Sequence, residues 1–102
     1  MKKTATLALL FAVSCGLALA DGKASYETSC KKCHGANGVA NPMIVKMMKV
    51  EMKDLGSADV QALSNADIAK IITDGKGKMK PTAGVTGAIA AEIVAYVRTF
   101  KK

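Results

Sequence analysis

The chain has no tryptophan, only two tyrosines and two phenylalanines, a single histidine, His34, and no cysteine beyond Cys33. With so few aromatic residues, a domain of this size buries only a modest core from its own side chains. One histidine and the cysteines of one short run cannot make a structural zinc site, which takes four Cys or His ligands. The basic residues are dispersed lysines without arginine clusters or interleaved aromatics, which removes the usual footprint of a nucleic-acid surface. The apolar run from Thr4 to Val13 is too short to span a bilayer, and there is no internal repeat or low-complexity segment.

What the chain does have is Cys30-Lys31-Lys32-Cys33-His34. Two thiols at this spacing can each add across one vinyl group of a haem to form thioethers, and the adjacent His34 is then delivered to the iron as an axial ligand. Reading the same C-x-x-C pair as a thioredoxin-like couple requires a strand before it and a βαβ pattern around it, and neither is present. The run therefore reads as the attachment site of one covalent c-type haem, haem c.

The first twenty residues read as a cleaved signal peptide: Lys2 and Lys3 give a basic start, Thr4 to Val13 the apolar stretch, and Ala18-Leu19-Ala20 a small-x-small cleavage site. Cleavage after Ala20 takes 20 of the 102 residues, Cys15 among them, and leaves 82, residues 21–102, as one domain. Lipidation at Cys15, preceded by Ala12-Val13-Ser14, is the minor alternative. Either route exports the chain, and the expected location is the periplasm. Loss of Lys2 and Lys3 takes 15 basic residues to 13 against 8 acidic, a net charge of +5 before the haem propionates subtract.

Along the mature chain, Asp21 to Lys32 patterns as a short helix with Gly22, Tyr26 and Cys30 on one face, Gly22 admitting another helix and Tyr26 packing beside the haem edge. Gly35-Ala36-Asn37-Gly38 reverses the chain after the ligand. The carbonyl of Pro42 is a candidate acceptor for His34 Nδ1–H, with a plain turn proline as the alternative. Met43 to Leu55 reads as a loop with at most a short helix, and Met43, Met47, Met48 and Met52 as a deformable apolar wall of the haem pocket, iron ligation being the lesser option. Ser64 opens a clearer helix as N-cap, with Asp67 at N3, a buried stripe of Ile68, Ile71 and Ile72, and Gly75 at its end. Met79, held in a loop between Gly77 and Pro81, lies 45 residues beyond His34. A thioether is a neutral, soft ligand that suits low-spin iron, and the lack of a second histidine favours Met79 as the other axial ligand. Thr86 caps a last helix over about Gly87 to Lys101, whose stripe includes Ile89, Ile93, Tyr96, Val97 and Phe100, with Lys101 and Lys102 at the negative end of its dipole.

Taken together, residues 21 to 102 resemble the class I monohaem cytochromes c, of the small bacterial type related to cytochrome c6 and cytochrome c553. The resemblance rests on Gly22, Tyr26, Cys30-Lys31-Lys32-Cys33-His34-Gly35, the Gly75-to-Pro81 loop around Met79, and Ala95-Tyr96-Val97-Arg98. Lys80 stands between Met79 and Pro81, where many members have Met directly before Pro. The resemblance implies an all-α fold with crossed terminal helices around one haem, axial ligation by His34 and Met79, and one-electron transfer in place of catalysis. Tyr26, Pro42 and Tyr96 are the expected pocket residues beside the thioether cysteines Cys30 and Cys33.

Two protein ligands leave the iron no open position for oxygen or peroxide, which disfavours an enzyme. Lys31, Lys32, Lys76, Lys78 and Lys80 flank the attachment run and the methionine, and as a positive face they would steer acidic redox proteins to the exposed edge of a monomeric carrier. A haem-bearing subunit of a larger oxidoreductase has the same site. A haem-based sensor or peroxidase would need a labile sixth ligand.

Overall fold

In the computed structural model, which describes residues 19–102, the helices opened by Ser64 and Thr86 start where their caps predict them. Helix α1 covers 19–29, and α2, Lys31–His34, follows it after a break at Cys30, whose φ of −121° leaves the helical region. The single helix expected over Asp21 to Lys32 is thus two, divided at the first cysteine. Next come α3, Pro42–Met48, and α4, Ala58–Gln61. The last two are α5, Asn65–Asp74, and α6, Gly87–Arg98. Asn41, Ser57, Ser64 and Thr86 each cap the helix that follows, their side-chain oxygens accepting from the backbone N–H of Met43, Val60, Asp67 and Ile89. The described residues contain no strand, only a bridge between Lys76 and Met79.

The terminal helices cross at Gly22. A Cβ there would stand 2.2 Å from the carbonyl oxygen of Glu92 and 3.3 Å from Tyr96 Cβ, so only glycine admits the backbone of α6 at this distance. Around the crossing, Tyr26, Ala90, Ile93, Val94 and Val97 are buried together with Ile68 and Ile72 from α5. Tyr26, Tyr96 and Phe100 form a closed aromatic triad, with centroid separations of 5.4, 5.3 and 5.1 Å. Edge-on and tilted contacts at this range add to what burial alone contributes.

Arg98 joins α6 to the α4–α5 corner. Its guanidinium donates to the carbonyls of Gln61 and Leu63 at 2.9 and 2.6 Å, which the C-terminal end of α4 leaves open, and to Asn65 Oδ1 at the start of α5. The last helix stops at Arg98, three residues short of the expected Lys101. Its final turn tightens at Thr99 and Phe100, and the tail runs to the 54–56 loop, where Lys102 donates its N–H to the Gly56 carbonyl and pairs with Asp54. Lys102 therefore serves that clamp, not the helix dipole.

Candidate functional site

Between α1–α2 on one side and the 75–81 loop on the other lies a predominantly apolar cavity of about 260 Å³. Ile68, Ile71 and Ile72 of α5 and Ile93 and Val97 of α6 line its interior, and Leu55, Val60 and Leu63 close it from the α4 side. Three of the expected chemical groups reach it together: Cys30, His34 and Met79. Cys33 is half-exposed in α2 and stands outside this lining.

The imidazole is held from behind. His34 N donates to Cys30 O at 3.0 Å, and the chain then leaves through Gly35 at φ 76°, where a Cβ would meet Val39 O at 2.2 Å. The hydroxyl of Tyr26, itself fully buried, donates to Gly35 O at 2.6 Å and pins that exit. Burial raises the Tyr26 phenol well above its ordinary range, so it stays a neutral donor. Burial likewise lowers the His34 pKa, favouring the neutral ring that can ligate a metal. The Cys30 thiol is pushed up to about 11, by burial first and by Cys33 second. His34 Nδ1 is buried without a hydrogen-bond partner. The bond to the Pro42 carbonyl is therefore not made: Pro42 is the exposed first residue of α3 and does not line the cavity. Tyr96 also stands outside the lining and touches the site through the ring of Tyr26.

Met79 arrives on a hairpin turn. Lys76 N donates to Met79 O at 2.8 Å and Met79 N to Lys76 O at 3.0 Å, with Gly77 at φ 59° in the two-residue tip. Lys78 reaches away from the turn and donates to Met48 O, at the end of α3, at 2.9 Å. A buried neutral imidazole, a thiol and a thioether lining one apolar space make a donor set that fits a haem.

The methionine wall is a correction. None of Met43, Met47, Met48 and Met52 lines the cavity, and Met43 and Met47 are 75% and 69% exposed. The reason is the register of α3: Ile44 takes the inward position, which turns residues 43 and 47 outward together. Conversely, sequence reasoning missed α4 and two charged residues at the cavity, Lys53 and Asp59, which pair at 3.6 Å. Ser57 ahead of Ala58-Asp59-Val60 was the available cap signal for α4; nothing local marks Lys53.

Comparison with known families matches residues 17–97 to the family described as cytochrome c oxidase, cbb3-type, subunit III. Among solved structures, the chain is similar to the KustC0563 c-type cytochrome, with a TM-score of 0.69 and 28% identity over 79% of this chain and 98% of that one. No curated protein matches.

Proposed function

The chain belongs to the c-type cytochrome family matched over residues 17–97, as a small class I monohaem cytochrome c, and from that premise we propose that it is a periplasmic one-electron carrier holding one covalent haem between His34 and Met79. The observation that carries the reading is that Cys30, His34 and Met79, from segments 45 residues apart, line a single apolar cavity. Cys30 and Cys33 hold the group by thioethers, Cys33 from the rim. A haem in that space supplies a ferric/ferrous couple at a potential set by its ligands and surroundings.

The chain's residues make that couple a carrier. His34 and Met79 would both ligate the iron, which would leave oxygen and peroxide no site on the metal. The isoleucines and valines of α5 and α6 keep water from the interior, and a neutral thioether would raise the reduction potential relative to a second histidine. Lys53 and Lys76 at the cavity, with Lys31, Lys32, Lys78 and Lys80 around it, favour partners with acidic docking faces. Residues 1–20 act as a cleaved leader, with lipidation at Cys15 as the alternative; Cys15 lies outside the described residues. The carrier works as a monomer, consistent with small, transient contacts.

Absorption spectra of the haem-loaded protein in both redox states test the reading. The expected result is a weak sulfur-to-iron band at the red end that Met79→Ala abolishes. Retention of that band in Met79→Ala, with its loss on changing Met43, Met47, Met48 or Met52, would move the ligand elsewhere. The family's description, which names an oxidase subunit, favours a second reading as a haem-bearing subunit of a larger oxidoreductase. Size-exclusion chromatography separates the two: a subunit elutes with its partner, a carrier alone.

A further inference from the structure

The outer face of α3 is the main apolar exposure among the described residues. Of five exposed large hydrophobic side chains, four fall between residues 39 and 48: Val39, Met43, Met47 and Met48. Single exposed apolar groups are ordinary, but a cluster on one short element is the mark of a contact surface. Met43 and Met47 stand one helical turn apart, and methionine, unbranched and polarisable, adapts to the shape of whatever covers it.

The charge around this face has one sign. Lys46 and Lys49 are exposed on or beside the same helix, Lys78 brings its ammonium to the Met48 carbonyl, and no acidic residue occurs from Val39 to Val50. The nearest acidic residue in sequence is the exposed Glu51, just past the end of this segment, while Asp59 lies on α4 and Asp67 and Asp74 on α5. The face is also tied to the site at both ends. Asn41, the cap of α3, donates its N–H to Cys33 O at 2.9 Å and its Nδ2 to Lys32 O at 3.2 Å, while Lys78 joins the other end to the methionine hairpin.

We propose that this face of α3 docks an acidic redox protein, with Met43 and Met47 seated on an apolar patch of the partner and Lys46, Lys49 and Lys78 meeting its carboxylates. One electron passes between the two centres and no atom is transferred. The inference rests on the carrier reading and adds where the partner sits. It moves the contact from the cavity lysines alone to the element that links the cysteine segment to the methionine hairpin.

The test uses the haem-loaded protein, reduced and freed of excess reductant, mixed with the membrane and soluble periplasmic fractions of the cells that make it, with reoxidation followed optically. Met43→Gln/Met47→Gln keeps side-chain length and net charge. Its reoxidation rate is expected to fall about tenfold, the scale of losing an anchor contact, while oxidation by ferricyanide and the absorption spectrum stay unchanged. Lys46→Gln/Lys49→Gln is expected to slow reoxidation at low salt and to converge on the wild type at high salt. Met52→Gln, off this helix, is the control and should match the wild type. An unchanged rate in the double methionine variant overturns the proposal. So does binding of wild type, but not of that variant, to phosphatidylglycerol vesicles, which would make the face a lipid contact. A dimer in sedimentation that the variant loses would make it a self-interface and also overturns the proposal. If the wild type exchanges electrons with neither fraction, the carrier reading falls, and this inference with it.

Discussion

The two sides of the cavity are built by opposite means. On the histidine side, the chain is fixed by packing: Gly22 lies against the backbone of α6, Tyr26 is fully buried in an aromatic triad, and its hydroxyl holds Gly35 immediately after the ligand. On the methionine side, Met79 hangs on a two-residue turn among lysines, steadied by its own backbone pair, by a bond from Lys78 to Met48 O and by Thr82 N donating to Ile72 O where the chain rejoins α5. Burial and close packing make the first side part of the folding core. The second side is mostly exposed backbone and flexible cations, with few apolar contacts to lose, so it belongs to the low-stability end of the structure. A chain built this way can alter the methionine side with little cost to its fold.

Removing the group both sides share gives the largest effect. The Cys30→Ser/Cys33→Ser chain has to offset an ordering cost of roughly 1 to 2 kcal/mol per residue with few aromatics and a small core. Circular dichroism should show little helix, and a cooperative melt in this variant would mean that side-chain packing alone carries the histidine side. Next in size is Met79→Ala. If the sides are as unequal as their packing, haem stays attached and the helices persist, while the potential drops and CO binds readily. Loss of attached haem would erase the contrast.

Smaller changes sharpen it. Tyr26→Phe deletes only the bond to Gly35 O and should cost about 0.5 to 1.5 kcal/mol, roughly 4 to 8 °C of melting temperature per kcal/mol for a domain of this size. Lys78→Gln should leave the melting temperature nearly unchanged and raise the rate of CO binding, because it frees the hairpin and nothing else. Equal thermal losses in the two variants would show that the hairpin is as deeply built in as the tyrosine.

The smallest effect concerns the tail. Asp54 has a carboxyl held below its ordinary range by the Lys102 side chain first and the Gly56 N–H second. A depressed carboxylate contributes stability above its unfolded pKa and loses it as pH falls through the folded value. Asp54→Asn should therefore lower the melting temperature slightly at neutral and alkaline pH and converge with the wild type in acid, flattening the acid limb, as measured by thermal melts across that range.

Much of this arrangement is legible in local sequence, because its causes are local. Ser64 and Thr86 mark helix starts by the bonds they make three residues on, and the spacing of Gly22, Tyr26 and Cys30 puts them on the face that meets α6. The illegible parts depend on distant partners. Nothing near Lys53 says that it borders the cavity, since Asp59 and the α4 fold bring it there. The outward turn of Met43 and Met47 follows from Ile44 winning the inward position, a choice between similar side chains that hydrophobicity cannot make. The early end of α6 is set by Asp54 and Gly56, more than forty residues upstream of the tail they hold.

The aromatic triad has an optical consequence. Tyr26 and Tyr96 are the only tyrosines, there is no tryptophan, and the two rings lie 5.4 Å apart, with Tyr26 bordering the cavity. All tyrosine emission from the chain therefore arises at one point beside the cofactor space, where a haem would drain it by resonance transfer. The loaded, folded protein should be dark and brighten as the crossing helices part. Because both emitters sit on that crossing, the brightening reports separation of α1 from α6 and is blind to the opening of the methionine hairpin.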